Sequence, residues 1–226
     1  MKTALTSTFK LLVVAAALSA SAAASAQSAG TWSVALGVNQ VTPKVDSGTL
    51  TAPTIPGVKN EVGKDTQPLL IINYAITDNI TASTFIGTPY KHDQIGAGSL
   101  QGVGKIGTVE SLPATLLAQY HFFDAKAKFR PYVGAGITYA YFRNETGSGV
   151  LTALANTGGT PTTFKAESAW GSTIKIGANY SFTDKWFAGL SVSKTYVKTT
   201  SRFSTGQTIS MSLDPVSVVA SVGYHF

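Results

Sequence analysis

The chain has 226 residues, no cysteine and a formal net charge of +6. Without cysteine it cannot build a disulfide framework, an iron–sulfur cluster or a thiol active site. Its positive charges are scattered rather than gathered in Lys/Arg blocks, so the sequence does not predict a nucleic-acid partner. Only 12% of the residues are charged, about half of the ~25% that is usual in soluble domains.

The first 26 residues have the features of a secretory signal peptide. Lys2 and Lys10 precede an apolar run at 11–18, and small residues follow up to Ala24-Ser25-Ala26. This order is typical of a cleaved export signal. The run is well short of the ~18 apolar residues that a spanning helix needs. We therefore predict an exported protein whose mature chain, 27–226, forms one domain.

The mature chain reads as eight strands with alternating polarity. In chain order they are predicted at 31–40, 67–76, 80 to about 90, 109–122, 129–142, 164–182, 185 to about 199, and a last strand that ends at Phe226. In the first strand Trp32, Val34 and Leu36 share one face, and small or polar residues share the other. This period of two is the strand pattern. The facing of the third strand is ambiguous, because Phe85 and Ile86 point opposite ways.

The connections alternate between short and long. Turns at 77–79, 124–128 and 183–184 alternate with loops at about 41–66, 93–108, 143–163 and 200–210, and the third loop holds a possible helical turn at 150–155. This arrangement predicts an all-β fold, an eight-stranded antiparallel transmembrane up-and-down β-barrel in a Gram-negative outer membrane. Both termini would be periplasmic and the long loops extracellular. A soluble lipocalin-like barrel is the alternative, but it requires a polar outer face.

The last strand carries aromatic residues to its end, at Tyr224 and Phe226. Pairing of this strand with the first would close the sheet and remove its edges. We expect Tyr224 and Phe226 to be the signal that the barrel assembly machinery reads. Lipid and lipopolysaccharide of the outer membrane are the other expected partners. No oligomeric state is predicted.

Several motifs of the chain are similar to those of the OmpW family of outer-membrane proteins. They are Leu112-Pro113-Ala114-Thr115, Gln119-Tyr120-His121-Phe122, Arg130-Pro131-Tyr132-Val133-Gly134, Asp214-Pro215 and Gly223-Tyr224-His225-Phe226, together with Thr88-Pro89-Tyr90-Lys91-His92. The resemblance covers essentially the whole mature chain. Family members usually have two prolines where this chain has Pro113-Ala114. The resemblance implies an eight-stranded barrel with a hydrophobic interior that admits small hydrophobic molecules.

The inward face is apolar for a porin, and an eight-stranded barrel is too narrow for an open water pore. The candidate lumen and ligand-lining residues are Leu69, Ile71, Phe85, Leu117, Phe142, Phe187 and Val219. From the pattern alone, a narrow apolar conduit and a plugged structural barrel are equally supported. The resemblance favours a channel or carrier for passive passage of small hydrophobic ligands. The second reading is a structural or adhesive barrel acting through its loops, including as a phage or bacteriocin receptor.

Prolines interrupt strand ladders, because proline has no N–H to donate. We expect Pro89 and Pro113, on neighbouring strands, to loosen the pairing near the outer rim and to form a lateral gate into the membrane. Ordinary strand-end prolines are the alternative.

Polar and ionisable residues do not indicate an enzyme, a cofactor or a metal. His92 beside Asp93 is the only histidine with an acidic neighbour, and no nucleophile or metal-ligand motif accompanies it. Lys175 faces the lumen, where it could meet Glu167 or a loop carboxylate, or reach water. Lys194 falls on the lipid face, so it must lie near the interface or follow a bulge near Ser193.

Overall fold

A computed structural model of the chain describes residues 28–52, 54 and 56–226. The predicted signal peptide lies outside the described residues. The described strands are β1 Trp32–Thr42, β2 Asp46–Ser47, β3 Val58–Val62, β4 Asp65–Ala75, β5 Ile80–Gly87, β6 Tyr90–Gly98, β7 Lys105–His121, β8 Phe129–Gly147, β9 Phe164–Ala166, β10 Ala169–Ser181, β11 Trp186–Phe203, β12 Thr208–Ser212 and β13 Val216–His225. A short helix, α1, spans Gly149–Ala155.

Eight of these strands form a closed antiparallel barrel. Their order is β10-β8-β7-β5-β4-β1-β13-β11, and β11 pairs with β10 to complete the ring. The last strand pairs with the first from Ser33–His225 to Thr42–Val216. The predicted eight-stranded barrel is therefore confirmed, including its closure by the first and last strands.

The two ends of the barrel differ in their connections, and we name them accordingly. The short-turn rim holds the turns between β4 and β5, β7 and β8, and β10 and β11, together with the chain end, where the Phe226 N–H donates to the Trp32 carbonyl at 2.9 Å. The long-loop rim holds β2, β3, β6, β9, β12 and α1. Large parts of the segments that were predicted as long loops form strands in the structure. There, β3 pairs with β6, and β12 pairs with β11.

The outer face of the barrel is apolar between the rims. Leu36, Ile86 and Trp170 are 69%, 62% and 68% exposed, and the face predicted for Trp32, Val34 and Leu36 in the first strand is the outward one. Aromatic pairs lie towards both rims, such as Trp32 with Tyr74 and Tyr139 with Trp170. Exposed apolar side chains in this number would be unfavourable in water and favourable in lipid. The outer face therefore excludes the soluble lipocalin-like barrel.

The third strand changes its facing where it is interrupted. In β5 the odd-numbered Thr81 and Ser83 are buried, whereas in β6 the even-numbered Tyr90, His92 and Gln94 are buried. Thr88 and Pro89, which separate the two strands, are not part of any strand. The interruption explains why the sequence pattern of this strand was ambiguous.

Lys194 lies outward on β11 in a regular ladder. It pairs with Ile174 on one side and Val216 on the other, with no bulge at Ser193. Its Nζ lies 4.9 Å from the centre of the Tyr196 ring. Since Tyr196 is the next outward residue towards the long-loop rim, the lysine extends along the surface in that direction.

Helix α1 covers part of the long-loop rim. It begins after Ser148, whose Oγ accepts from the Leu151 N–H at 3.2 Å, as a helix N-cap does. Leu151 is buried in a cluster with Ile106 and Phe164. The helical turn expected at 150–155 is therefore present. Among the described residues no helix is both long and apolar enough to cross a membrane.

Candidate functional site

The predicted lumen residues all lie inside the barrel, but they do not form one continuous bore. Five of them with Ala35 form one cluster: Leu69, Ile71, Phe187 and Val219 are buried, and Phe85 packs against them. Phe142 belongs to the separate cluster beneath α1. Leu117 is 2% exposed and belongs to neither. The lumen is therefore divided along its length.

Near the long-loop rim the lumen holds a cavity of about 90 Å³, which we call the upper cavity. Its wall is mostly apolar, since aliphatic and aromatic side chains from most of the strands meet there. These include Val41, Phe85, Val109, Ala140, Phe142, Phe164, Val197, Met211 and Leu213. A mostly apolar wall with a few polar groups is typical of small-molecule sites.

Four threonines complete the wall of the upper cavity on the β7, β8, β10 and β11 side. Their hydroxyls form a chain, with Oγ1 distances of 2.8 Å from Thr115 to Thr138, 2.6 Å from Thr138 to Thr173 and 2.8 Å from Thr173 to Thr195. Because the hydroxyls bind one another, each is satisfied without water. The polar residues of this wall therefore do not require a wet lumen.

Below the upper cavity the Ala35 cluster closes the lumen, and we call it the apolar plug. Phe187 is the more deeply buried of its two phenylalanines, at 2% exposure. A Cβ built on Gly223 would lie 2.3 Å from the Phe187 ring, so glycine is the only residue that leaves room for it. Beyond the plug lies a second, polar chamber of about 20 Å³. The plug therefore separates an apolar half of the lumen from a polar half.

The two predicted gate prolines lie in an interruption of the barrel wall. The ladder between β5 and β7 ends at Phe85–Thr115, and the ladder between β6 and β7 begins at Tyr90–Ser111. Residues 86–89 and 112–114 therefore lie outside both ladders, and we call them the proline gap. On its other side Pro113 remains in register with Ala140. Phe85, Tyr90, Ser111 and Pro113 all line the upper cavity, so the cavity extends to the gap.

Asp65 holds the strands together beside the gap. Its carboxylate accepts from the backbone N–H of Lys91 and from the Gln67 amide, at 2.7 and 2.8 Å. Burial works to raise the pKa of Asp65, but the hydrogen bonds from Gln67, Lys91 and Thr66 outweigh it, and the pKa lies below the ordinary 3.8. The ionised carboxylate thus joins β4 to β6 next to the interruption between β5 and β6.

His92 ties the first long loop to β7 at the edge of the upper cavity. Its Nδ1 lies 2.7 Å from the Gly63 carbonyl and its Nε2 lies 3.1 Å from Ser111 Oγ. Since a carbonyl only accepts, Nδ1 carries the proton and Nε2 accepts from the Ser111 hydroxyl. Burial lowers the pKa of His92, an effect that Asp65 and Asp93 oppose only in part.

The other candidate polar contacts are arranged differently from the sequence expectation. Asp93 does not join His92, because it faces outward and pairs with Lys105 at 2.7 Å. Glu167 does not meet Lys175, because it pairs with Arg202 at the long-loop rim. Lys175 instead lies in the polar chamber, and its Nζ is 5.7 Å from the centre of the Tyr132 ring. The alternation of the strand correctly predicted that Lys175 faces the lumen, but it did not predict how far along the barrel axis the residue lies.

A second cavity, the vestibule, lies above the upper cavity among the long loops. Its volume is about 230 Å³, and β3 and α1 contribute more residues to its wall than any other strand or helix. Gln94, Phe164 and Ser201 line both cavities. The vestibule is therefore the part of the lumen between the upper cavity and the long loops. No single strand pattern could reveal it, because its wall comes from the loop segments.

Tyr224 and Phe226 lie on the outside of the barrel at the short-turn rim. The Tyr224 ring contacts Trp186 edge-on at 5.2 Å and Phe226 at 5.1 Å. Their role as an assembly signal stays a prediction.

Comparison with known proteins places this architecture in a family. The sequence profile of the OmpW family matches residues 28–226. Outer membrane protein W of Escherichia coli (strain K12) is 35% identical over 224 residues, which are 96% of this chain and 99% of that protein. Outer membrane protein W of Vibrio cholerae is 32% identical over 223 residues, 95% of this chain and 97% of that protein.

Solved structures give the same fold. The crystal structure of the outer membrane protein OprG from Pseudomonas aeruginosa has a TM-score of 0.79 to this chain at 23% identity, covering 88% of this chain and 98% of that one. These relatives are named as outer-membrane proteins, and none of those names is that of an enzyme. The chain belongs to the OmpW family of outer-membrane β-barrel proteins.

Proposed function

We propose that the protein passes small hydrophobic molecules without energy input from the vestibule to the upper cavity and then sideways, through the proline gap, into the outer membrane. The long-loop rim would face the outside of the cell, and both termini would face the periplasm.

One observation carries this proposal: the upper cavity adjoins the proline gap on one side and the apolar plug below. Pro113 lies in the gap and Tyr90 borders it, and both residues line the cavity. The plug leaves an apolar molecule no passage towards the short-turn rim unless Phe187 moves. The interrupted ladder needs no such movement of a buried side chain. The lateral route therefore requires the smaller rearrangement.

The lining of the route supports a hydrophobic substrate rather than a polar one. A polar solute would lose its hydration in the upper cavity, and an unpaired polar group costs about 1–3 kcal/mol in a protein interior. The threonine hydroxyls are already paired with each other and offer little compensation. An apolar solute instead gains about 25 cal/mol for each Å² it removes from water.

Filling the upper cavity tests the proposal. Ala140 is 7% exposed and lines the cavity, so Ala140→Trp should occupy it. Ala135 lies on the same strand but on the lipid-facing side, where a tryptophan is tolerated, and Ala135→Trp is the matched control. Uptake of a fluorescent alkane derivative into proteoliposomes should fall severalfold in Ala140→Trp and stay unchanged in Ala135→Trp.

A panel of polar solutes completes this experiment. Small sugars and amino acids should enter no faster with the protein than without it. Equal uptake of the alkane derivative by Ala140→Trp and by the unchanged protein would reject the upper cavity as the route. Preference for the polar solutes would reject the substrate class.

A further inference from the structure

The polar chamber below the plug contains a cation that is balanced by no carboxylate of the described residues. Lys175 is 6% exposed and lines the chamber. Its contact there is the face of the Tyr132 ring, at 5.7 Å, and none of the described residues gives its Nζ a hydrogen bond or an ion pair. A buried ammonium without an opposite charge is strongly unfavourable.

The eleven acidic residues of the chain all lie at the rims or beyond them. They are Asp46, Glu61, Asp65, Asp78, Asp93, Glu110, Asp124, Glu145, Glu167, Asp184 and Asp214. Arg130, the other buried cation of this half, is close enough to interact electrostatically with Asp78 and Asp124 in the short turns, and it donates to the Asp78 carbonyl at 2.7 Å. Lys175 lies deeper, in the ladder position opposite Gly134 and Ser193.

Two buried histidines add unpaired hydrogen-bonding groups to the same chamber. His121 and His225 are 2% and 4% exposed, both line the chamber, and neither ring nitrogen of either residue has a partner among the described residues. His121 packs on Tyr132 at 4.8 Å, and His225 stacks on Phe187 at 4.5 Å. A neutral imidazole always carries one N–H, so each ring has a donor to offer.

We propose that the chamber binds one small monovalent inorganic anion of about the size of chloride. The Lys175 ammonium supplies the opposite charge, and the N–H groups of His121 and His225 supply donors. The chamber volume of about 20 Å³ suits a single-atom anion better than a carboxylate or a phosphate. A water molecule could satisfy the imidazoles but would leave the charge of Lys175 unbalanced. The inference rests on the fold and the chamber, not on the proposed transport of hydrophobic molecules.

Bromide provides a direct test, because it replaces chloride and scatters X-rays anomalously. Crystals of the unchanged protein grown or soaked in sodium bromide should give an anomalous peak inside the chamber, between Lys175 and the two histidines. A chamber without this peak, at bromide concentrations that label surface sites, would overturn the proposal. This measurement needs no variant and does not depend on transport.

Halide-dependent stability gives a second test with a matched pair of variants. Because a ligand that binds only the folded state stabilises it, raising chloride at constant ionic strength, with sulfate as the balancing anion, should raise the unfolding temperature of the detergent-solubilised protein by about 2–4 °C. Lys175→Met should abolish this rise. Lys194→Met removes a lipid-facing lysine from the neighbouring strand and should retain it. The same rise in Lys175→Met would reject the site.

Discussion

Replacing Pro89 and Pro113 with valine should close the proline gap and slow hydrophobic uptake. Valine supplies the N–H that proline lacks and favours strand conformation. The double variant should therefore extend the ladders from Phe85–Thr115 and Tyr90–Ser111 towards each other. The overall barrel should remain intact, because β7 is already paired with β8 along this segment.

The size of the effect follows from the direction in which the Pro113 nitrogen points. The His121 N–H donates to the carbonyl of Asn79, which immediately precedes β5, whereas the Phe122 N–H donates to the carbonyl of Pro131 in β8. Odd-numbered residues of β7 therefore direct their backbone groups towards β5, and even-numbered residues direct theirs towards β8. Pairing between β7 and β8 is regular from His121 to Pro113, so the backbone nitrogen of residue 113 also points to the side of β5 and β6.

A restored hydrogen bond at position 113 contributes about 0.5–1.5 kcal/mol, and a difference of 1.4 kcal/mol changes a population tenfold. Opening should therefore become about two- to tenfold rarer.

Uptake of a hydrophobic probe into proteoliposomes measures this change, with urea unfolding in vesicles as the parallel readout. The double variant should take up the probe about two- to tenfold more slowly while its unfolding free energy stays equal or rises. Pro131→Val is the control, since Pro131 lies in the β8 ladder near the short-turn rim and should leave uptake unchanged. Undiminished uptake in the Pro89 and Pro113 double variant would refute the lateral exit.

Three further perturbations probe the lumen and its rim. Phe187→Ala should cost about 3–5 kcal/mol in unfolding free energy and, by joining the two halves of the lumen, raise ion conductance in planar bilayers. Thr138→Val should cost about 1–3 kcal/mol in vesicle unfolding experiments, because the hydroxyls of Thr115 and Thr173 lose the partner between them. Since burial lowers the folded-state pKa of His92 below 6.5, the unfolded chain protonates first on acidification, and stability should fall from pH 7.5 to pH 5.5. His92→Phe should flatten that decline.

For each of these three perturbations, one result would contradict the expectation. Unchanged conductance in Phe187→Ala would mean that the plug does not block the lumen. A Thr138→Val variant as stable as the unchanged protein would show that the hydroxyl chain is dispensable. An equally steep loss of stability in His92→Phe would place the titrating group elsewhere.

The sequence predicted the outer face of this barrel almost completely, because lipid imposes a simple rule on it. Every second residue of a spanning strand must be apolar, and Leu36, Ile86 and Trp170 obey that rule. The ambiguity in strand three came from a real irregularity. The facing changes at Thr88 and Pro89, and a strict period of two cannot describe both halves of an interrupted strand.

The division of the lumen could not be predicted in the same way. Alternation shows that Leu69, Phe142 and Phe187 face inward, but their heights depend on the stagger between strands. The same limit applies to Lys175, whose depth separates it from Glu167. The threonine chain emerges only when Thr115, Thr138, Thr173 and Thr195 are brought into register. In the sequence, each of these threonines looks like any small polar residue that alternates with apolar residues in a strand.

A removable covalent bridge across the proline gap would test the lateral route most directly. The chain has no cysteine, so paired cysteines can be introduced without interference. Ile86 and Ala114 are the first lipid-facing residues beyond the Phe85–Thr115 pair, and Ile86→Cys with Ala114→Cys would bridge the gap. Ala82 and Ala118 are directly paired on the same two strands and the same face, and their double cysteine variant is the control.

Uptake of a hydrophobic probe should be compared before and after reduction of each disulfide. The account predicts that the oxidised Ile86–Ala114 bridge slows uptake severalfold, that a reductant restores it, and that the Ala82–Ala118 bridge has no effect in either state. Full uptake through a barrel whose gap is bridged, with the disulfide verified by mass spectrometry, would contradict it.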